Sequence, residues 1–551
     1  MVEIGREKRG TVLSKTESFV RGTVILAAAA LIARVLGLVQ RVPLEHMLGV
    51  TGNASFTVAN NLYLMLLAVA TAGIPSTLSK MVSERYALGR PAEAQRIYFA
   101  ALLFAGVIGV IMTVGLYIFA PFFAVYSSKV PEAILAIRAI APSLLLFPMI
   151  AMMRGYFQGR NLMIAGGISQ IVEQIARVFT AILLAYIILQ LGYGGVEASA
   201  GASFGSVLGS IGAFAVMIYY AFKMRKQDKL EGIDARSDKD HAVIPLTQIY
   251  GDIFKLSIPI VLSSLTIPAV YFIDSILVKP LLIGQLGDAM ATNVLAILGA
   301  RAQSVAGIPP ILAIALSQSL IPIISAAFAS RKMEHLKNQI TLALRISVLT
   351  GVPIVLIFST AAYSVNGLLF STQEGAGIIA ALTLGTIFQI TMMTTNSMLI
   401  GINKANQSMV HVMIGIVVKL IVSFALAPFI GIYGIIAGTA LCFITITWLN
   451  IRSLRQIVTF SVLGNRWIGF IVTVVVLGGI GLLLNQVGIL LTGYMNDRVA
   501  FFIGCCMVGI AILLVYPVML VLLRVVKANE LDSYPKVLRK VFRPLMRLQK
   551  N

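Results

Sequence analysis

The sequence predicts an all-α polytopic membrane protein with about 14 transmembrane helices. Of its 551 residues, 58% are hydrophobic and only 12% are charged, whereas soluble proteins carry about twice that charged fraction. Apolar stretches of about 20 residues, each long enough to cross a bilayer, recur along the whole chain. This composition excludes a water-soluble enzyme, and it also argues against a nucleic-acid-binding protein despite the net charge of +21.

Fourteen spans emerge from a hydropathy window of about 19 residues. Their centres lie near residues 32, 66, 108, 146, 176, 210, 266, 312, 350, 388, 419, 444, 478 and 512. The first is not expected to be a cleavable signal peptide, because its apolar run is too long and no small-residue cleavage site follows it. The three cysteines all fall within apolar stretches and do not indicate a disulfide framework.

Basic residues orient these spans. With the N-terminus in the cytosol, most lysines and arginines fall in cytosolic segments, as the positive-inside rule requires. Examples are Arg21 before the first span and the loops 80–96 and 223–239. We therefore expect a multi-pass protein of the cell membrane with both termini in the cytosol. Anionic membrane lipids are the default partner of its positive charge, and no nucleic acid is expected.

An internal repeat divides the chain. Residues 152–179 resemble residues 394–421 at a shift of 242 positions, which aligns Arg177 with Lys419. Six spans separate the two copies, so both have the same orientation. This arrangement is typical of two six-helix lobes related by an axis along the membrane normal, with substrate sites between the lobes near the midplane.

Five segments follow from the spans and the repeat. They are an N-terminal six-helix lobe (1–222), a cytosolic linker (223–249), a C-terminal six-helix lobe (250–457), two additional transmembrane helices (458–526) and a basic cytosolic tail (527–551). In the tail, Val537, Leu538, Val541 and Phe542 share one helical face among basic residues. That pattern favours an amphipathic helix on the inner leaflet, and a frayed basic tail is the alternative.

Charged residues within the spans are candidates for function, since an ionised group at the bilayer centre costs about 2.5–3.5 kcal/mol on insertion scales. They are Arg34, Arg41, Glu173, Arg177, Asp274, Arg301 and Lys419. Arg34 lies about 20 Å along its helix from Arg21, and its own helix offers no acid one turn away. We expect Arg34 to face a polar cavity.

Structural roles remain open for the other charged residues. Glu173 and Arg177 are spaced i, i+4 with the acid first, the favourable order for a self-neutralised pair. Arg41 and Arg301 are long enough to reach the outer headgroups, because basic side chains snorkel. Asp274 lies beyond two prolines, where a polar partner at a kink is an alternative role.

Two further patterns are interpreted as structural. Gly201, Gly205 and Gly209 form a ladder of small residues in the sixth span, which lets helices pack closely. His411 in the eleventh span is expected to be a hydrogen-bonded core residue rather than a proton carrier. The sequence contains no Walker A, nucleotide-binding or carboxylate-pair motif, so neither ATP hydrolysis nor a cofactor is expected.

Three groups of motifs stand out in the first half of the chain. They are Ala33-Arg34-Val-Leu-Gly37 with Arg41-Val-Pro-Leu44, Thr71-Ala-Gly-Ile-Pro75 through Ser79-Lys80-Met-Val-Ser83-Glu84, and Arg154-Gly-Tyr-Phe-Gln-Gly159 with Glu173-Gln-Ile-Ala-Arg177. Together they resemble the bacterial lipid II flippase family, in the Gram-positive branch related to stage V sporulation protein B. That family belongs to the multidrug/oligosaccharidyl-lipid/polysaccharide exporter superfamily, and the similarity covers about residues 15–525.

The resemblance implies two six-helix lobes around a central cavity, with two extra C-terminal helices that form a groove for a lipid tail. It implies a transporter rather than an enzyme. Alternating access would move lipid II, the undecaprenyl-pyrophosphate-linked peptidoglycan precursor, from the inner to the outer leaflet of the bacterial cell membrane during cell-wall biogenesis. Cell-wall synthesis proteins are then expected among its partners.

Substrate-binding residues follow from the same resemblance. The family's cavity arginine in the first helix matches Arg34, whereas its second basic residue falls at Gln40, beside Arg41. Arg301 aligns approximately with the family's eighth-helix arginine. A pyrophosphate suits these residues, because the arginine fork binds its oxygens in a bidentate manner. The substrate-binding candidates are Arg34, Arg41, Arg301, Glu173 and Arg177.

A coupling role is expected for Lys419 and Asp274. Some members of the resembling family bind sodium between the seventh, eleventh and twelfth helices. Here the eleventh span carries Lys419, whose ammonium group is expected to replace a bound cation near Asp274. Transport should then not need sodium, and no metal site is expected.

Two other functions compete with this interpretation. The same fold would serve another lipid-linked oligosaccharide or a teichoic-acid precursor, since these substrates present the same pyrophosphate. A membrane glycosyltransferase or polymerase would need a catalytic acid or metal-binding carboxylates near an external loop, and the acids of the predicted external loops are scattered along the chain.

Overall fold

The computed structural model describes residues 3–71, 73–160, 162–230, 246–534 and 536–549. Every regular element in these ranges is a helix, which confirms the predicted all-α class. The chain forms two compact units, residues 1–280 and residues 281–551. Residues 231–245 of the predicted linker lie outside the described part, and the predicted division into five segments stays a prediction.

Unit 1 begins with a helix of 69 residues, α1, which holds the first two predicted spans. Its backbone leaves the helical region at Gly49 (φ 64°, ψ −175°), where two helices meet across a kink. The helices of unit 1 are α1 (Glu3–Thr71), α2 (Ile74–Ala87), α3 (Pro91–Pro121), α4 (Ala133–Ile140), α5 (Ser143–Gly159), α6 (Met163–Gln190), α7 (Gly195–Leu230), α8 (Leu246–Ser264) and α9 (Thr266–Leu286). The boundary between the units falls within α9, at Pro280.

Unit 2 contains the remaining helices and ends in short 3₁₀ turns. The helices are α10 (Asp288–Ala296), α11 (Gln303–Ala306), α12 (Pro310–Ala329), α13 (Met333–Thr360), α14 (Ala362–Phe370), α15 (Ala376–Gly401), α16 (Ala405–Ile430), α17 (Ile432–Arg455), α18 (Trp467–Leu490), α19 (Asp497–Leu522) and α20 (Lys536–Leu545). A π-helical turn, Ile297–Ala302, follows α10.

Twelve helical segments of the described residues are long and apolar enough to cross a membrane, so the chain is a multi-pass membrane protein. The first, Val35–Ala87, is 53 residues long and contains both the kink at Gly49 and the break between α1 and α2, so it is not one straight helix. The eighth predicted span coincides with α12, in which eight of twenty side chains, those of residues 312, 314–319 and 322, lie outside the described part. The exact number of fourteen spans stays a prediction.

The glycine ladder brings α6 and α7 into close contact. A β-carbon added at Gly205 would lie 2.7 Å from the backbone nitrogen of Ala181, and one added at Gly209 would lie 2.9 Å from the carbonyl oxygen of Glu173. Neither position has room for a side chain. The predicted close packing is therefore confirmed. It holds the backbone of α6 at Glu173 directly against Gly209 of α7.

Helix bounds agree with the predicted repeat. Helix α5 ends at Gly159 and α6 begins at Met163, while α15 ends at Gly401 and α16 begins at Ala405. Both pairs differ by the shift of 242 positions. In each unit the second helix of the pair packs against the helix that follows it, α6 against α7 and α16 against α17.

A charged clamp holds the turn between α5 and α6. Arg160 donates two hydrogen bonds to Asp228 at the end of α7, at 2.8 and 2.6 Å, and its guanidinium lies 4.7 Å from the ring centre of Tyr86 in α2. Burial disfavours the charge, but the bonds to Asp228 raise the pKa of Arg160 above its ordinary value. The clamp fixes the helix pair that carries the charged cluster described next.

Candidate functional site

A buried ionic cluster joins α5 and α6 in unit 1. Arg154 Nη2 donates to Glu173 Oε2 at 2.9 Å and to Ser169 Oγ at 2.9 Å. Arg177 Nη2 lies 3.9 Å from Glu173 Oε1. The Glu173 side chain is only 7% exposed, so one carboxylate lies between two guanidinium groups away from water.

The cluster revises the sequence analysis in one respect. The i, i+4 spacing favours Arg177 as the partner of Glu173, but Arg154 makes the shorter contact. Arg154 belongs to α5, and the short turn after Gly159 places it against α6. The sequence did hint at this contact, because Arg154 and Glu173 belong to the same group of motifs. The cluster keeps one positive charge in excess within two membrane-spanning helices.

Two arginines of α1 were predicted to bind substrate. The backbone of Arg34 is helical, but its side chain lies outside the described part of the structure. The guanidinium of Arg41 lies 4.7 Å from the ring centre of Phe56, across the kink at Gly49. Glu45, one turn further along, attracts it electrostatically. Arg41 is therefore held close to the kink.

Lys419 is fully buried in unit 2. Its Nζ donates to Thr439 Oγ1 at 2.6 Å, which links α16 to α17. The Thr439 hydroxyl in turn donates to the carbonyl oxygen of Ile435. An ammonium group thus occupies a buried position between two membrane-spanning helices.

A neutral polar network lies further along the same helices. Asn450 Nδ2 donates to Thr395 Oγ1 at 3.0 Å and to Asn396 Oδ1 at 2.6 Å, so both of its amide hydrogens are used. Asn450 Oδ1 therefore accepts the bond from His411 Nδ1, at 2.7 Å, which assigns the Nδ1–H tautomer to the neutral ring. The network joins α15, α16 and α17, and it makes His411 a hydrogen-bonded residue, as predicted.

The two other candidate residues lie elsewhere. Arg301, in the π-helical turn after α10, donates to the carbonyl oxygen of Glu374 at 3.1 Å, next to an exposed loop. Asp274 is 2% exposed within α9, beside Ser275, which accepts a hydrogen bond from Asn61 at 2.8 Å. Asn61 is a polar contact to this region that the sequence analysis did not single out.

The described structure thus groups only part of the candidate set. Within unit 1 it brings Glu173 and Arg177 together and adds Arg154 to them. Arg301 and Lys419 belong to unit 2 and have separate surroundings. The roles of all these residues in binding and coupling stay predictions.

A family model described as polysaccharide biosynthesis protein matches residues 19–328. This range is more than half of the chain. The protein belongs to the polysaccharide biosynthesis protein family. The matched range includes the first copy of the repeat, residues 152–179.

Relatives of this polysaccharide biosynthesis family member bear out the resemblance drawn from its motifs. Lipid II flippase MurJ of Bacillus subtilis is 29% identical over 78% of this chain and 81% of its own length. Stage V sporulation protein B of the same organism is 24% identical over 96% of this chain and 99% of its own length. The chain is thus similar to both over most of their lengths.

Solved transporters share its fold. An inward-facing multidrug resistance MATE family transporter of the MOP superfamily matches with a TM-score of 0.62 at 15% identity, over 77% of this chain and 94% of that one. At this identity the match establishes the architecture alone. This member of the polysaccharide biosynthesis family therefore shares the fold of that solved transporter.

Proposed function

We propose that the protein is a lipid II flippase, which moves the undecaprenyl-pyrophosphate-linked precursor of peptidoglycan from the inner to the outer leaflet by alternating access. The observation that carries the proposal is the buried cluster in which Glu173 faces both Arg154 and Arg177. An excess of guanidinium over carboxylate in membrane-spanning helices suits an anionic headgroup. It does not suit the cationic drugs that a multidrug exporter carries.

The substrate's phosphate oxygens supply the anionic charge that the cluster lacks. Arg177 is 15% exposed and lies 3.9 Å from the carboxylate, so it retains donors for a second acceptor. Bidentate bonds from arginine to phosphate oxygens fix orientation as well as charge. We assign substrate contact to Arg34, Arg41, Arg301, Glu173 and Arg177, with Arg34 as the principal ligand.

The relatives support the substrate class. MurJ of Bacillus subtilis carries the name lipid II flippase, and the family model is described by polysaccharide biosynthesis. The broader description favours a second candidate, a flippase for another lipid-linked oligosaccharide or a teichoic-acid precursor. Both substrates present a pyrophosphate to the same arginines, so the two candidates differ in the sugar and not in the ionic contact.

Reconstitution separates these candidates. Proteoliposomes that contain only this protein should translocate fluorescent lipid II at least tenfold faster than empty liposomes. A lipid-linked teichoic-acid precursor and a cationic dye serve as competing cargoes in parallel vesicles. Faster transport of the teichoic-acid precursor would favour the second candidate, and transport of the dye alone would contradict both.

Orientation and partners belong to the same proposal. We propose that both termini lie in the cytosol of a bacterial cell and that cell-wall synthesis proteins act next to the flippase. Single cysteines at positions 129 and 404, in a background without the native cysteines, test the orientation with a membrane-impermeant reagent. Labelling at 404 but not at 129 in intact cells would contradict it.

The Arg34 side chain provides the sharpest test of the substrate site. Arg34→Ala should abolish complementation of a flippase-depleted strain at normal protein abundance, because the headgroup loses its bidentate ligand. Arg34→Lys should retain part of the activity, since an ammonium supplies charge without the fork. Arg41→Ala should have a smaller effect, because its predicted position is nearer the membrane edge. Full growth with Arg34→Ala, at an abundance checked by immunoblot, would contradict the assignment.

A further inference from the structure

The C-terminal segment 523–549 folds back against the end of the last membrane-spanning helix, α19. Arg524 adopts a left-handed conformation with φ 55°, which reverses the chain directly after α19. At the far end of the segment, Gln549 Nε2 donates to the carbonyl oxygens of Val521 and Val526, at 2.9 and 2.7 Å. The segment is therefore tied at both ends to the same helix terminus.

An acidic residue fastens the middle of the segment to the rest of unit 2. Glu530 accepts two bonds from Arg466, both at 2.7 Å, and lies 2.9 Å from Arg345 Nη1 of α13. The bonds from Arg466 lower the pKa of Glu530 below its ordinary value. Both of these arginines lie outside the C-terminal segment, so Glu530 fastens the segment to the preceding helices of unit 2.

Aromatic residues mark the level of this segment in the membrane. The two tryptophans of the chain are both exposed: Trp467 directly follows Arg466, and Trp448 lies near the end of α17. Tryptophan is enriched at membrane–water interfaces. Trp467 directly follows Arg466, which binds Glu530, so we expect the segment to lie near the level of the lipid headgroups.

The helix α20 turns its cationic side outwards. Of the apolar face that the sequence predicts, Phe542 is only 3% exposed and packs into the protein, whereas Val541 is 44% exposed. Residues 536–549 contain five basic and no acidic residues. A cavity of about 640 Å³ is lined by Arg539, Lys540, Arg543, Pro544 and Arg547.

We propose that this cavity binds the phosphate-bearing headgroup of an anionic phospholipid from the adjacent leaflet. Clustered cationic side chains attract an anion, and arginine forks match phosphate oxygens. The bonds donated by the Gln549 side chain and the Glu530 clamp fix the segment that carries α20 without a bound lipid. A lipid at this place would tie the last two membrane-spanning helices to the membrane surface.

Native mass spectrometry and thermal unfolding of the full-length protein in detergent test the proposal. Short-chain phosphatidylglycerol is the probe, and phosphatidylcholine and inorganic phosphate are the comparison ligands. Arg543→Gln/Arg547→Gln, which removes two exposed charges, should weaken phosphatidylglycerol binding at least tenfold. The matched control Lys332→Gln/Lys404→Gln, which removes two charges elsewhere in unit 2, should change it less than twofold.

Each other outcome overturns the proposal. Equal phosphatidylglycerol affinity in the two double variants would mean that the cavity is not the lipid site. Binding of inorganic phosphate as tight as that of phosphatidylglycerol would assign the cavity to a free anion. Equal binding of phosphatidylcholine would show that the charge is irrelevant. Because these arginines are outside the proposed transport site, failure here leaves lipid II transport by the wild-type protein unchanged.

Discussion

Where unit 1 holds a carboxylate between two guanidinium groups, unit 2 holds a hydrogen-bonded amide network and a buried lysine. These clusters occupy equivalent positions of the repeat, 242 residues apart. The equivalent pairs are Arg154 and Asn396, Ser169 and His411, Glu173 and Gly415, and Arg177 and Lys419. The turn that joins the two helices of each pair has the same bounds in both copies, Gly159 to Met163 and Gly401 to Ala405, whereas the side chains at the equivalent positions differ in chemistry.

Gly415 explains why unit 2 has no equivalent of Glu173. A β-carbon at Gly415 would clash with the side chain of Ile446 on α17, so the close approach of two helices fills the space that a carboxylate needs. Lys419 is satisfied instead by the hydroxyl of Thr439. The comparison teaches that one helical scaffold supports a fixed ionic cluster in one copy and a hydroxyl-bound ammonium in the other.

The largest expected effect concerns Glu173. Glu173→Gln should lower the free energy of unfolding by about 3 kcal/mol, because two largely buried guanidinium groups, 25% and 15% exposed, then lack their carboxylate. Thermal unfolding in detergent measures the loss. Glu84→Gln is the control, since Glu84 is 59% exposed and its ion pair with Lys80 is long, at 4.0 Å. The loss of this exposed pair should cost less than about 1 kcal/mol. A similar small loss at Glu173 would break the comparison.

A second prediction concerns the network of unit 2. Asn450→Ala should lower the free energy of unfolding by about 1–3 kcal/mol, because His411, Thr395 and Asn396 lose a shared buried partner. The loss should be smaller than that of Glu173→Gln, since the network is neutral and no charged group loses its counter-charge inside the protein. Thermal unfolding under the same conditions measures both. A larger loss for Asn450→Ala would reverse the comparison of the two units.

A third prediction concerns Lys419 as a replacement for a bound cation. Replacing sodium with choline at constant membrane potential should leave the rate of flipping unchanged in the wild type. Lys419→Met should lower the rate at least tenfold with little change in unfolding temperature, because an apolar chain of similar length fills the buried site. Loss of wild-type transport in choline would refute the role of Lys419, and a fully active Lys419→Met variant would also refute it.

The smallest expected effect concerns the pH dependence of Glu530. Its pKa is lowered in the folded protein, so its contribution to stability is full above the unfolded value of about 4.5 and is lost as the pH falls through the folded pKa. Limited proteolysis of segment 523–549 should therefore speed up below about pH 4.5. Glu530→Gln should be cut faster at neutral pH and show a flatter pH profile. Parallel profiles for both proteins would contradict the clamp.

Local sequence rules predicted the helices and the repeat, but not the contacts between helices. The spacing of Glu173 and Arg177 is visible on one helix, whereas Arg154 lies 19 positions upstream of Glu173 and comes close only because α5 and α6 fold into a hairpin. Likewise, the amphipathic pattern around Phe542 indicates an apolar face without saying whether protein or lipid covers it. Such choices depend on tertiary packing, which a single sequence does not contain.

The glycine ladder between α6 and α7 has a consequence for genetics. In a library of random single substitutions, positions 205 and 209 should tolerate no other residue, because backbone atoms of α6 occupy the place of any side chain. Ile211, which is 49% exposed on the same helix, should accept most apolar residues. The fraction of variants that survive would then vary along α7 with the helical period. Its minima would mark the positions at which α7 contacts α6.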